Sequence, residues 1–183
     1  MNAIVLTGGT NKRFGSDKSK ALINGQPLLK ILIDNLDCDK LIIVGEKSEF
    51  EAEYIQEEPV KSGPVAAIAA ALSLVESDLV AIFATDMPFA PKLIAKLQQA
   101  LVKDAALPLD SSGVAQPLAA IYRVAALRSA IKSYDTLIDQ SMKSLIAKLE
   151  VNLVPVVETE LLIDIDTPEE LKRAIDLASR LAQ

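Results

Sequence analysis

Ala3-Ile4-Val5-Leu6-Thr7-Gly8-Gly9-Thr10-Asn11-Lys12-Arg13-Phe14-Gly15-Ser16-Asp17-Lys18 runs from an apolar stretch directly into a turn rich in glycine and cations. Residues 3–7 predict a short buried strand that ends in a loop. Gly8 and Gly9 tolerate positive φ and let the backbone approach a ligand with no Cβ in the way, leaving consecutive N–H groups as donors. Lys12, Arg13, Lys18 and Lys20 are opposed only by Asp17, so this segment of an acidic chain is locally positive. The combination suits a polyphosphate; a strand-to-helix turn that needs glycine for geometry alone is the plainer alternative. The stretch contains neither G-x-G-x-x-G nor a glycine directly before Lys-Ser/Thr, so neither the dinucleotide fingerprint nor the Walker loop fits.

Working outward, Pro27 opens a helical pattern carried by Leu28, Leu29, Ile31, Leu32 and Leu36. Residues 40–44 form a β-branched run closed by Gly45, and residues 54–57 a plausible short strand. An Ala-rich helix is predicted over 64–75, an apolar strand over 79–83 and a helix over 91–101. Later come a strand at 118–122, helices at 124–133 and 143–149, and a strand at 151–157 interrupted by Pro155. Asp166-Thr167-Pro168-Glu169-Glu170 then marks a helix start, with a capping residue, a proline and two acids in the first turn. Strands alternating with helices predict an α/β protein around a mostly parallel sheet, whose ligands bind beyond the carboxyl ends of the strands.

The chain has 183 residues, half of them hydrophobic, which fits one domain over 1–183 with a real core. No apolar stretch is long enough to cross a bilayer, and the start lacks the pattern of a secretory signal. The lone Cys38 agrees with a reducing, cytoplasmic setting. A net charge of −6 and few aromatics argue against a nucleic-acid partner. There is no histidine at all. Ser-His and Cys-His pairs, a histidine general base and a histidine-ligated zinc are therefore excluded, which leaves carboxylates, cations and a bound hard metal to carry any chemistry.

Two acidic positions stand out. Asp86 follows the apolar strand in Ile82-Phe83-Ala84-Thr85-Asp86-Met87-Pro88, where a Mg2+ held by a ligand would need an oxygen donor; a turn-initiating aspartate is the alternative. Asp164 and Asp166 stand at strand spacing and are expected on one side of the sheet, one for metal and the other structural, with helix capping as a competing role for Asp166. Gly63-Pro64-Val65 provides close backbone approach at a helix N-terminus or simply a tight loop. Lys143-Ser144 reads as an exposed charge before it reads as a phosphate site.

In this order the pieces resemble the nucleotidyltransferases of the GT-A glycosyltransferase type, most closely the molybdenum cofactor guanylyltransferases (MobA-like). The resemblance rests on L-x-G-G-x-x-x-R-x-G-x-D-K at the start, Gly63-Pro64-Val65, Thr85-Asp86-Met87-Pro88-Phe89, Gln116-Pro117-Leu118, and Asp164-Ile165-Asp166-Thr167-Pro168-Glu169-Glu170-Leu171. It spans nearly the whole chain and implies a three-layer α/β/α Rossmann-like fold.

The resemblance further implies that Gly8, Gly9, Arg13 and Lys18 line a triphosphate. The loop from Leu6 and Thr7 onward would read the guanine of GTP, Asp86 would ligate Mg2+, and Asp166 would be the second metal acid. An acid before the Gly-Pro step helps hold the nucleotide in that family; Glu57 has the spacing and Glu58 competes for it, while Ala67 replaces a family glycine. The implied reaction is attack by a phosphate of molybdopterin on the α-phosphorus of GTP, with pyrophosphate leaving and Arg13, Lys18 and Asp86 as the catalytic set. A phosphate monoester, with a second pKa of roughly 6, is already a dianion at neutral pH and needs no general base. The alternatives are a cytidylyltransferase of the same cofactor, a guanylyltransferase acting on another small phosphate, or a nucleotide-binding regulatory protein.

Overall fold

β1 (Asn2–Leu6) is buried along its whole length and lies in the interior of a seven-stranded sheet, as described by a computed structural model for residues 1–7 and 21–182. It pairs in parallel with β4 (Lys40–Val44) on one side and β6 (Leu79–Ala84) on the other. β5 (Glu53–Ile55) extends the first side. On the second side follow β8 (Ala119–Arg123), β7 (Ala105–Leu109) and β9 (Val151–Pro155), giving the order β5-β4-β1-β6-β8-β7-β9. β8 runs against both its neighbours and the other six strands share one direction. A small hairpin of β2 (Leu22–Ile23) and β3 (Gln26–Pro27) stands apart.

The helices lie on both faces, and the two-residue period of the strands decides which side chain meets which layer. Val5 and Phe83 point to the layer of α1 (Leu28–Asp34), α3 (Ile94–Gln99) and α6 (Pro168–Leu181), and pack on Leu32, Leu97 and Leu177. Ile4 and Ile82 point the opposite way, to α2 (Pro64–Leu72), α4 (Val124–Lys132) and α5 (Met142–Ile146), and meet Ile68, Leu127 and Leu145. A strand covered on both faces needs apolar residues at every position, which is why β1 and β6 read as continuous apolar runs rather than alternating ones. Each fully buried Leu, Ile or Phe contributes about 1.5–3 kcal/mol. The architecture is the expected α/β/α sandwich around a mostly parallel sheet.

Several boundaries moved. The helix expected over 91–101 is a 3-10 turn at Ala90–Leu93 followed by α3. The helix over 143–149 is the shorter α5. β7, in Ala-Ala-Leu-Pro-Leu, was not foreseen from the sequence, because a proline inside a short apolar run speaks against a strand. It is accommodated because β8 pairs only with Ala105 and Ala106; on that side Pro108 acts as an acceptor alone, its carbonyl taking the Gln116 N–H at 2.9 Å, while the other side keeps the ladder to β9. Residues 164–166 belong to no strand, contrary to the sequence expectation. They form an extended stretch between the 3-10 turn Thr159–Leu162 and α6.

Candidate active site

The order of strands reverses at β1, whose next partner in sequence is β4 on one side and whose later partner is β6 on the other. A crevice is expected at such a switch point, outside the carboxyl ends of the strands. There two threonines prolong the ladder by matching bonds. Thr7 donates its N–H and its hydroxyl to the Val44 carbonyl, at 3.1 and 2.9 Å. Thr85 donates its own pair to the Leu6 carbonyl, at 3.2 and 3.0 Å. The ends of β4, β1 and β6 are thereby held in one rigid row. Gly45 makes room for this: a Cβ there would sit 2.0 Å from the Thr7 hydroxyl.

Asp86 occupies the turn that leaves β6, closed by the Met87 N–H donating to the Ala84 carbonyl at 3.1 Å. Buried Met87 and Phe89 anchor the far side of the turn. The Asn35 amide, at the end of α1, donates to Pro88 O at 3.1 Å and Ile31 O at 2.9 Å. On the other flank the Leu118 carbonyl accepts the Ala84 N–H at 3.0 Å, which puts Gln116-Pro117-Leu118 beside the turn.

The chain returns to this point nearly eighty residues later. The Ile165 N–H donates to the Asp86 carbonyl at 3.1 Å, and the Ile165 side chain is fully buried in the core. In an extended stretch neighbours alternate in direction, so Asp164 and Asp166 emerge together on the side away from the core. One carboxylate oxygen each from Asp86, Asp164 and Asp166 lies within 4.8 Å of the others. Asp86 and Asp166 are half-buried and Asp164 is exposed. Three hard oxygen donors this close fit a divalent cation of the Mg2+ or Ca2+ kind and offer nothing for a soft metal.

Asp166 does not cap α6. The cap is Thr167, whose hydroxyl accepts the Glu170 N–H at 3.2 Å, and the Asp166 carboxylate stands in the cluster instead. Asp164, which the sequence left without a settled role, joins Asp86 and Asp166 as a third acid; the Asp-x-Asp spacing was the available signal.

The remaining sequence candidates fall in two groups. Gly8, Gly9, Arg13 and Lys18 lie outside the described residues. Leu6 and Thr7 stand in the row of strand ends next to Asp86. Farther along the same edge, β5 leads to half-buried Glu57, whose carboxylate accepts the Lys61 N–H at 2.7 Å. Glu58 is exposed. Gly63 has φ +95 and ψ 173 and directly precedes Pro64 at the start of α2.

The loop over 110–116 approaches the same end of the sheet and is organised by one carboxylate. Asp110 accepts from the Ser112 hydroxyl at 2.6 Å, the Ser112 and Val114 N–H groups at 2.8 and 3.0 Å, and the Gln116 amide at 2.6 Å. These donors, the Ser112 hydroxyl first among them, hold its carboxyl below the usual range.

The family described as MobA-like NTP transferase domain matches residues 3–153. A protein named probable molybdenum cofactor guanylyltransferase from Thermococcus kodakarensis is 31% identical, over 98% of this chain and 96% of its own. Among solved structures, molybdopterin-guanine dinucleotide biosynthesis protein A from Archaeoglobus fulgidus is 26% identical, with a TM-score of 0.74 and coverage of 98% and 100%. The 2-C-methyl-D-erythritol 4-phosphate cytidylyltransferase of Thermus thermophilus shares the fold at 18% identity, with a TM-score of 0.67 over 96% of this chain and 98% of that one. With a rigid row of strand ends, three converging carboxylates and this match over most of its length, the chain belongs to the MobA-like NTP transferase family and is a nucleotidyltransferase.

Proposed function

We propose that this protein, acting as one domain over 1–183 in the cytoplasm, transfers GMP from GTP to the phosphate of molybdopterin and releases pyrophosphate. The observation that carries the proposal is the convergence of Asp86, Asp164 and Asp166 at the end of β6, beside the strand that runs into the glycine-rich loop. The names of the relatives, which mention guanylyltransfer and molybdopterin, support the choice of base and acceptor.

Asp86 and Asp166, with Asp164, would hold Mg2+, which supplies charge neutralisation at phosphate oxygens when bound. Gly8 and Gly9 offer backbone N–H groups to the triphosphate, while Arg13 and Lys18 take up charge on the transferring and leaving groups. Leu6 and Thr7 border the base, and Glu57 and Gly63 the rest of the nucleotide. The attacking phosphate carries its own negative charge and the leaving pyrophosphate needs cations rather than a proton. A site with no histidine suits that chemistry, because the barrier falls by alignment and charge neutralisation.

Pyrophosphate release with molybdopterin and each of GTP, CTP, ATP and UTP tests the proposal. GTP should be the efficient donor, and Asp86→Ala should lower its turnover by about a hundredfold or more while the melting temperature stays near that of the parent. CTP as the preferred donor, or full turnover in Asp86→Ala, would overturn the assignment.

A further inference from the structure

We infer that Glu170 is a positioning residue that sets where Asp166 stands in the metal site, an inference that rests on the metal role proposed above. In the usual capping box the acid at the third helical position reaches back to the N–H of the cap residue itself. Here it reaches one residue further. The Glu170 carboxylate accepts the backbone N–H of Asp166 at 2.8 Å and, with the same oxygen, the Thr167 hydroxyl at 3.0 Å. Thr167 returns the bond by accepting the Glu170 N–H at 3.2 Å. The helix start and the metal residue are therefore one hydrogen-bonded unit.

Two further anchors explain why that matters. Ile165 is fully buried and its N–H is held by the Asp86 carbonyl at 3.1 Å. With Ile165 fixed on one side and the Asp166 N–H fixed on the other, the backbone of Asp166 has little freedom, and its carboxylate is held toward Asp86 and Asp164. The Glu170 bond thus fixes the backbone N–H of Asp166 directly, between the Ile165 anchor before it and the Thr167 cap after it. A carboxylate at the start of a helix also stabilises the helix through the dipole, so position and helix stability must be separated by experiment.

Mn2+ binding to the full chain, followed by electron paramagnetic resonance without nucleotide, makes that separation, with melting temperatures measured on the same samples. Glu170→Ala should weaken Mn2+ binding by about tenfold, the range seen when a group orienting a ligand is removed. Glu170→Gln keeps an acceptor oxygen and loses the charge, and should bind Mn2+ close to the parent level. Glu169→Ala removes an exposed acid from the same helical turn; it should lower the melting temperature slightly and leave Mn2+ binding alone. Equal weakening in Glu170→Ala and Glu170→Gln would mean that charge rather than the bond matters, and would overturn the inference. Parent-like binding in Glu170→Ala, with binding lost in Asp86→Ala, would overturn it too and leave the metal site standing. No Mn2+ binding in the parent protein would remove the metal site and this inference together.

Discussion

Tyr122 lies wholly buried in β8, and its hydroxyl donates to the Pro117 carbonyl at 2.6 Å. Burial pushes the phenol far above its ordinary pKa, so it stays a neutral donor. The Pro117 carbonyl takes this bond from a side chain five residues on, which fixes the step that leads to Leu118 and the Asp86 turn. Tyr122→Phe should leave that carbonyl unsatisfied and cost about 1–3 kcal/mol. Thermal melts should record roughly 2–4 °C per kcal/mol for a chain of this size. An unchanged melt would mean that the carbonyl finds water or another donor at no cost. Residues of this kind were not legible in the sequence, because a tyrosine in an apolar strand looks the same whether its hydroxyl is structural or idle. The place of Asp86 was legible: an acid two residues beyond a buried apolar run falls at the carboxyl end of a strand, and the structure puts it there, in the turn that leaves β6.

At the scale of elements, the entry to α2 depends on Gly63, whose φ of +95 and ψ of 173 lie in a region that side chains avoid. Its Cβ would meet no severe obstruction, the nearest atoms being 3.6 Å away, so the cost of Gly63→Ala is backbone strain alone. That strain should be about 1–3 kcal/mol, measured as a lower urea midpoint with an unchanged slope.

The loop over 110–116 makes a different prediction. The Asp110 carboxyl is held below the 3.8 of an ordinary aspartate, so its contribution is complete above that pH and is lost as the pH falls through the lower folded value. The stability gap between the parent and Asp110→Asn should therefore narrow on going from about pH 6 to about pH 3. A constant gap would show that the four hydrogen bonds do not depend on charge. β1, β4 and β6 were readable because strands buried on both faces are apolar throughout. β7 was not, since Pro108 hides it, and the Asp164 to Asp166 stretch imitated a strand because extended chain has the same alternation whether or not a neighbour pairs with it.

For the whole molecule, the site proposed above draws on three distant parts of the chain, so a ligand that binds them together should stabilise the entire fold. GTP with Mg2+ at about a hundred times its dissociation constant should add about 2.7 kcal/mol by mass action. Melting should rise accordingly, with chelation of the metal by EDTA returning most of the shift. A melt indifferent to GTP with Mg2+ would be incompatible with a triphosphate site assembled from these segments.

The amino-acid sequence by itself determined the α/β/α class, the buried central strands and the absence of histidine chemistry, because these follow from local pattern and composition. It also carried the family motifs. The tertiary structure decided which acids stand together. Asp86 and Asp166 are eighty positions apart, and the Ile165 bond to the Asp86 carbonyl joins their segments where the carboxylates, with that of Asp164, lie within 4.8 Å. It also decided that Thr167 caps α6 in place of Asp166. Such choices depend on which backbone groups meet across the fold, and chain closure rather than local preference settles that.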